Sequence, residues 1–189
     1  MTKVLETRHV EARQRTTMSI RVSGGVGTGQ TALSAFDAAL RASGVENFNL
    51  VRLSSVIPPS AEVRKVAGDD QLFGEWGDRL YCVYAEQRAV NAGDEAWAGI
   101  GWVFRDDAPD SGGLFVEHEG PSRDDVETSI TRSLADLTAG RPQSFGPIQM
   151  QLAGTRCVDE PVCAIVVASY ETETWRRSPS PSPRVSLTS

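Results

Sequence analysis

The sequence predicts an α+β domain, a sandwich of mainly antiparallel sheets with helices laid against them. Strand-like stretches follow one another in runs, without the strict strand–helix alternation that a parallel sheet requires. Helical periodicity is confined to two segments, 31–43 and 122–137. At 189 residues, 40% hydrophobic and 23% charged, the chain is long and apolar enough for one domain with its own core.

Residues 1–17 (MTKVLETRHVEARQRTT) are charged and weakly patterned, which predicts a flexible leader outside the core. Met18–Ser23 reads as the first strand. Gly24-Gly25-Val26-Gly27-Thr28-Gly29 reads as a glycine loop, and a helix follows over Thr31–Ser43 with Gly44 as its C′ residue. Residues 48–54, 79–86, 96–104 and 113–119 read as strands. Ser122–Leu137 is the second helix. Ser122 is its N-cap, Asp124 and Asp125 suit the positive end of the helix dipole, and Val126, Ile130, Leu134 and Leu137 form an apolar stripe. Gly140 and Pro142 stop it. Strands over 148–152 and 162–170, joined by a turn-like stretch over 154–161, complete a single domain spanning 18–177. From Ser178 the chain (SPSPSPRVSLTS) is rich in Ser and Pro, which predicts a disordered tail over 178–189.

The net charge of −6 argues against nucleic acid or an anionic membrane surface as partner and agrees with a cationic ligand. No apolar run reaches the roughly 20 residues that span a bilayer. The N-terminus also lacks the apolar region of a signal peptide, so the expected location is cytoplasmic. Cys82, Cys157 and Cys163 read as ordinary thiols; Cys157 and Cys163 are near enough in sequence to meet across a hairpin, but an odd count in an intracellular chain argues against a disulfide. With His9 and His118 the only histidines, no Cys/His cluster at zinc spacing exists and no metal is expected.

The glycine run invites a nucleotide-binding reading, because such loops cradle phosphate at a helix N-terminus. The details oppose it. Gln30 stands where a third glycine is needed, no acidic residue ends the next strand, and Gly29 is followed by Gln30-Thr31 instead of Lys-Ser/Thr. A tight loop needing positive φ and a loop lining some other pocket are the remaining readings. In the helix behind it, Leu33, Phe36 and Leu40 share a face, and Asp37 falls within the same stripe. A carboxylate buried there without a partner costs on the order of several kcal/mol. Its partner is either an internal arginine, Arg21 or Arg52, or a cationic ligand such as a guanidinium, whose planar fork matches a carboxylate.

The most informative segment is Asn49-Leu50-Val51-Arg52-Leu53-Ser54-Ser55-Val56-Ile57-Pro58-Pro59. A strand-like run ends in two serines, and two prolines follow. Such a pair is ordinarily just a turn. In a strained turn, however, Ser55 Oγ can attack the Ser54 carbonyl and cut the chain, and the new N-terminus can become a ketone that no side chain supplies. Lysine usage agrees with this chemistry. Only Lys3 and Lys65 are present, and neither has the phosphate cradle that pyridoxal phosphate needs around its Schiff-base lysine.

Ala35-Phe36-Asp37, Leu40, Gly44, Asn47, Asn49-Leu50-Val51 and Ser54 to Pro59, with the Gly-Val-Gly-x-Gly run before them, together resemble the pyruvoyl-dependent arginine decarboxylases. The match is dense over 18–59 and thinner through Gly113–Gly120 and the closing strands. The resemblance implies an αββα-type sandwich that cuts itself between Ser54 and Ser55 into 18–54 and 55–177 portions, with a covalent pyruvoyl group made from Ser55. It implies a Schiff base between that group and arginine, loss of CO2, and release of agmatine. Asn49 is implied in processing, as donor to the oxyanion. Glu117 is implied as general acid, with Glu119 its rival on the same strand face. Asp37 is implied to bind the substrate guanidinium, with Leu33 and Leu40 flanking the aliphatic stem. His118 points to the other strand face and has no assigned role. The implied partners are arginine, the chain's own cleaved fragment, and further copies of the chain in a homotrimer or dimer of trimers with sites between protomers. The leader and the SPSPSP tail have no counterpart in the family pattern. Three alternatives stay open: the same chemistry on another basic amino acid or on histidine, a non-processing assembly or regulatory homologue, and a nucleotide-binding protein.

Overall fold

The computed structural model describes residues 18–67, 70–108 and 110–175, so the expected leader and tail lie outside the described residues. In chain order the elements are β1 (Ser19–Thr28), α1 (Ala32–Ala42), β2 (Asn49–Arg52), β3 (Val56–Ile57), β4 (Glu62–Lys65), β5 (Arg79–Ala89), β6 (Glu95–Phe104), β7 (Gly113–Gly120), α2 (Arg123–Ala139), β8 (Gln149–Arg156) and β9 (Val162–Glu173). They build two sheets, one ordered β2-β5-β9-β1-β4 and the other β3-β7-β6-β8. The β1–β4 and β2–β5 pairs are parallel and the other ladders antiparallel.

Four layers result. Ile20, Val22, Val83, Ile100, Trp102, Phe115 and Val166 fill the space between the sheets. On the outer face of the five-stranded sheet, Ala35 and Ala39 of α1 cover Leu80, Cys82, Cys163, Ile165 and Val167. On the other side, Val126, Ile130 and Leu134 of α2 cover Val103, Leu114 and Val116. Over Val162 to Ser169, β9 therefore has no solvent face, and these residues are all buried. This is the expected α+β sandwich in its αββα form.

The caps match the sequence reading. Thr31 forms a capping box with Ser34, Ser122 accepts from the Asp125 amide, and Gly44 has φ of +73° just past α1. The glycine run does not: Gly24 to Thr28 continue β1, and neither Gly25 nor Gly27 has positive φ. Their role is close approach. A Cβ on Gly27 would lie 2.4 Å from the Ala39 nitrogen, and one on Gly25 2.4 Å from the Ala39 carbonyl. The helix backbone rests directly on the strand there.

That closeness also corrects the placement of Asp37. Small residues suit a helix lying this near a strand, so the buried face of α1 is Ala35 and Ala39. Leu33 is 69% exposed, and Asp37 stands on the surface, 3.4 Å from Arg41 one turn on. Neither candidate arginine meets it. Arg21 pairs with Asp70 at 3.2 Å, and Arg52 lies over the Tyr84 ring. Leu137, expected in the stripe of α2, is half-exposed. The strand expected over 48–54 stops at Arg52, and the turn expected over 154–161 narrows because β8 runs to Arg156. All three cysteines are buried free thiols. Among the described residues no helix is long and apolar enough to cross a membrane.

Candidate active site

The serine pair lies where the chain leaves one sheet for the other, since β2 belongs to the first and β3 to the second. Both sides of the crossing are anchored. The Leu53 amide donates to the Cys82 carbonyl of β5 at 2.9 Å, and the Phe115 amide of β7 donates to the Ser55 carbonyl at 2.8 Å. Between these anchors Ser55 has φ of +65°. A non-glycine residue in that region costs about 1–3 kcal/mol and persists only where its surroundings impose it.

β3 is two residues long and covers only Leu114 and Gly113 of β7. Beyond Phe115 the edge of β7 is open, and there the Ser55 hydroxyl donates to Glu117 Oε1. A cavity of about 440 Å³ opens here, lined by Ser55, Glu117, His118, Ser133 and Asp136 among others. A second cavity of about 420 Å³ lies against Ser54, Val56, Tyr81 and Tyr170. The Ser54–Ser55 peptide thus runs between two spaces. The Tyr170 hydroxyl donates to the Val56 carbonyl at 3.0 Å. Burial, then the nearby Glu117 carboxylate and Cys82, push the Tyr170 phenol well above its ordinary range, so it stays a donor. Burial likewise pushes the Cys82 thiol up to about 12, which leaves it inert.

The structure brings Ser54, Ser55 and Glu117 together. Glu119, the rival carboxylate, is exposed further along β7. It does not bring Asp37, Leu33, Leu40 or Asn49 to them within one chain. Leu40 is half-buried against the α1-side core, and Asp37 and Leu33 face outward. The Asn49 amide side chain donates to the Gly77 carbonyl at the start of β2. Five residues of extended chain put that point on the order of 15 Å from Ser54. Sequence reasoning missed the Phe115 amide and Tyr170, both set by pairing between distant strands. It also missed Asp136 and the His118–Ser133 hydrogen bond (2.8 Å), which α2 brings to the cavity wall. Lys65 lies elsewhere, in β4, with its ammonium 5.6 Å from the Trp102 ring. Among the described residues no group of three or more His, Cys, Asp or Glu side chains is gathered as metal ligands.

Comparison with known proteins bears on the family. A family model described as pyruvoyl-dependent arginine decarboxylase matches residues 19–173. A pyruvoyl-dependent arginine decarboxylase of Halobacterium salinarum is 36% identical over 156 residues, which is 80% of this chain and 92% of that protein. Pyruvoyl-dependent arginine decarboxylase 2 of Archaeoglobus fulgidus is 36% identical over 114 residues, 60% of this chain and 71% of that one. The Methanococcus vannielii enzyme of the same name is 28% identical over 152 residues, 80% and 88% of the two chains. A match that runs from the first strand to the last, through the strained serine and its carboxylate, places the chain in the pyruvoyl-dependent arginine decarboxylase family.

Proposed function

We propose that the chain cuts itself at Ser54–Ser55 and then decarboxylates L-arginine to agmatine and CO2. The observation that carries this reading is Ser55 itself, held left-handed between two sheets with its hydroxyl on Glu117. Ser55 Oγ attacks the Ser54 carbonyl carbon; the C–O bond forms, the C–N bond breaks, and an ester with a free amine at position 55 results. Elimination then releases the Ser54 carboxylate, and hydrolysis of the resulting enamine (through its imine) consumes one water, releases ammonia and leaves a pyruvoyl group.

The fold supports such a cut. The 18–54 portion contributes β1, held between β4 and β9, and β2, held on β5. These ladders and the α1 packing keep the two portions together after the peptide bond is gone. The residues around Ser55 also suit the group. When present it supplies a ketone that condenses with the substrate amine and a conjugated carbonyl that withdraws electrons as CO2 leaves. The Phe115 amide is already aimed at that carbonyl oxygen at 2.8 Å, where it stabilises developing negative charge. Glu117 orients the Ser55 hydroxyl before the cut and afterwards stands where a proton is delivered to the substrate α-carbon.

The guanidinium end meets a carboxylate from a second copy of the chain. Asp37, Leu33 and Asn49 are exposed on one protomer and do not line the cavity at its own Ser55, which supports a site completed between protomers in a trimer. Asp136 gives a second reading, because it lines the cavity with Ser55 in the same chain. Asp37→Asn and Asp136→Asn separate the two by which variant raises the KM for arginine. The basic test is denaturing electrophoresis of the purified protein beside an agmatine assay. Two fragments with activity, and one band without activity for Ser55→Ala, are expected. A single full-length band with undiminished agmatine production contradicts the proposal.

A further inference from the structure

β9 carries an irregularity beside the cut. In its ladder with β5, Tyr81 faces Glu171 and Cys82 faces Ser169, so Tyr170 is an extra residue with no counterpart. A bulge of this kind bends its strand and re-aims the side chain it carries. Here the ring packs with the layer between the sheets, edge-on to Phe115 with centroids 6.1 Å apart. From β9 in one sheet, the hydroxyl reaches the Val56 carbonyl of β3 in the other, one residue past Ser55.

The anchors around the serine pair are otherwise main-chain bonds. Leu53 is tied to β5 and Ser55 to β7 by backbone amides that any sequence would supply. The Ser55 hydroxyl itself must be free to move onto the Ser54 carbonyl. Tyr170 therefore adds a side-chain donor that fixes the segment without taking part in bond making. We propose that Tyr170 is a positioning residue for the cut: by holding the Val56 carbonyl, its hydroxyl keeps Ser55 in the left-handed conformation from which Oγ reaches the Ser54 carbonyl carbon. This rests on the self-processing reading above. Burial raises the phenol above its ordinary range, which favours the protonated, donating form.

The test is the first-order rate of scission in freshly translated, pulse-labelled full-length chain, followed on denaturing gels. Tyr170→Phe keeps the ring against Phe115 and removes only the hydroxyl. Scission about tenfold slower is expected, equivalent to about 1.4 kcal/mol in the barrier. Placing 4-aminophenylalanine at 170 restores an N–H donor and should recover most of the rate, a rescue that a packing role alone does not predict. Packing alone predicts wild-type scission for Tyr170→Phe and a loss only for Tyr170→Leu. Equal rates for the wild type and Tyr170→Phe overturn the proposal while self-processing stands. A wild-type chain that is never cut overturns both.

Discussion

The crossing at Ser54–Ser55 and the outer face of α1 and β2 differ in completeness. At the crossing, one chain supplies the Ser55 hydroxyl, its carboxylate partner Glu117, a donor to the Ser55 carbonyl and a donor to the next carbonyl. On the outer face, Leu33 is 69% exposed, and among the described residues Asp37 holds only Arg41, with both side chains largely in solvent. Exposed pairs one helical turn apart contribute about 0.3–0.5 kcal/mol. Asp37 can exchange Arg41 for a ligand guanidinium at little cost. On the proposed reading, the groups that touch Ser55 come from its own copy, whereas recognition of the distal end of a substrate needs something brought to the open face.

Substitutions at the two regions should therefore separate cutting from recognition. The largest effect belongs to Ser55→Ala: no fragments, and agmatine formation below detection. Glu117→Gln retains an oxygen that accepts from Ser55 but cannot deliver a proton. Scission should persist while kcat falls about 10²- to 10⁴-fold; an equal loss of scission would merge the two roles. Asp37→Asn removes a charged hydrogen bond worth about 1.5–3 kcal/mol. The KM for arginine should rise about 10- to 100-fold with scission intact, and an unchanged KM would move recognition to Asp136.

Gly27→Ala probes how α1 is seated. The added methyl meets helix backbone at 2.4 Å, so thermal denaturation should show about 1–3 kcal/mol of lost stability. Scission rate should hold, because the crossing is anchored on β5 and β7. The smallest effect concerns the thiols. Burial raises Cys82 and Cys163 from 9.0 to about 12 in the folded chain. Their contribution to stability is complete below pH 9 and declines as pH rises toward 12, because only the unfolded chain ionises in that interval. Native protein should resist iodoacetamide at pH 8, and prompt alkylation would show that the α1 side opens readily.

The longer strands and both helices were legible because their apolar residues recur with the right period, and Thr31, Gly44 and Ser122 mark helix ends by local chemistry. β3 and β4 were not. β3 is two residues ahead of a proline pair, and β4 is a charged, mostly exposed edge strand, so neither carries an alternating pattern. The glycine run misled because glycine marks turns by default, whereas here it admits a helix backbone. Asp37 is hard to place for the same reason: in the sequence pattern the larger Leu33, Phe36 and Leu40 outweigh the face of alanines that is buried. At the site, Ser54, Ser55 and Glu117 stand out by motif resemblance. Tyr170 and the Phe115 amide owe their places to ladders between residues far apart in sequence, which no local pattern records.

The most direct measurement is the intact mass of the purified protein under denaturing conditions, taken on a preparation that converts arginine to agmatine. Cutting at Ser54–Ser55 predicts two masses whose sum equals the uncut chain plus one water and minus one ammonia, with the larger fragment refractory to N-terminal sequencing. A single mass for the uncut chain in that active preparation would contradict it.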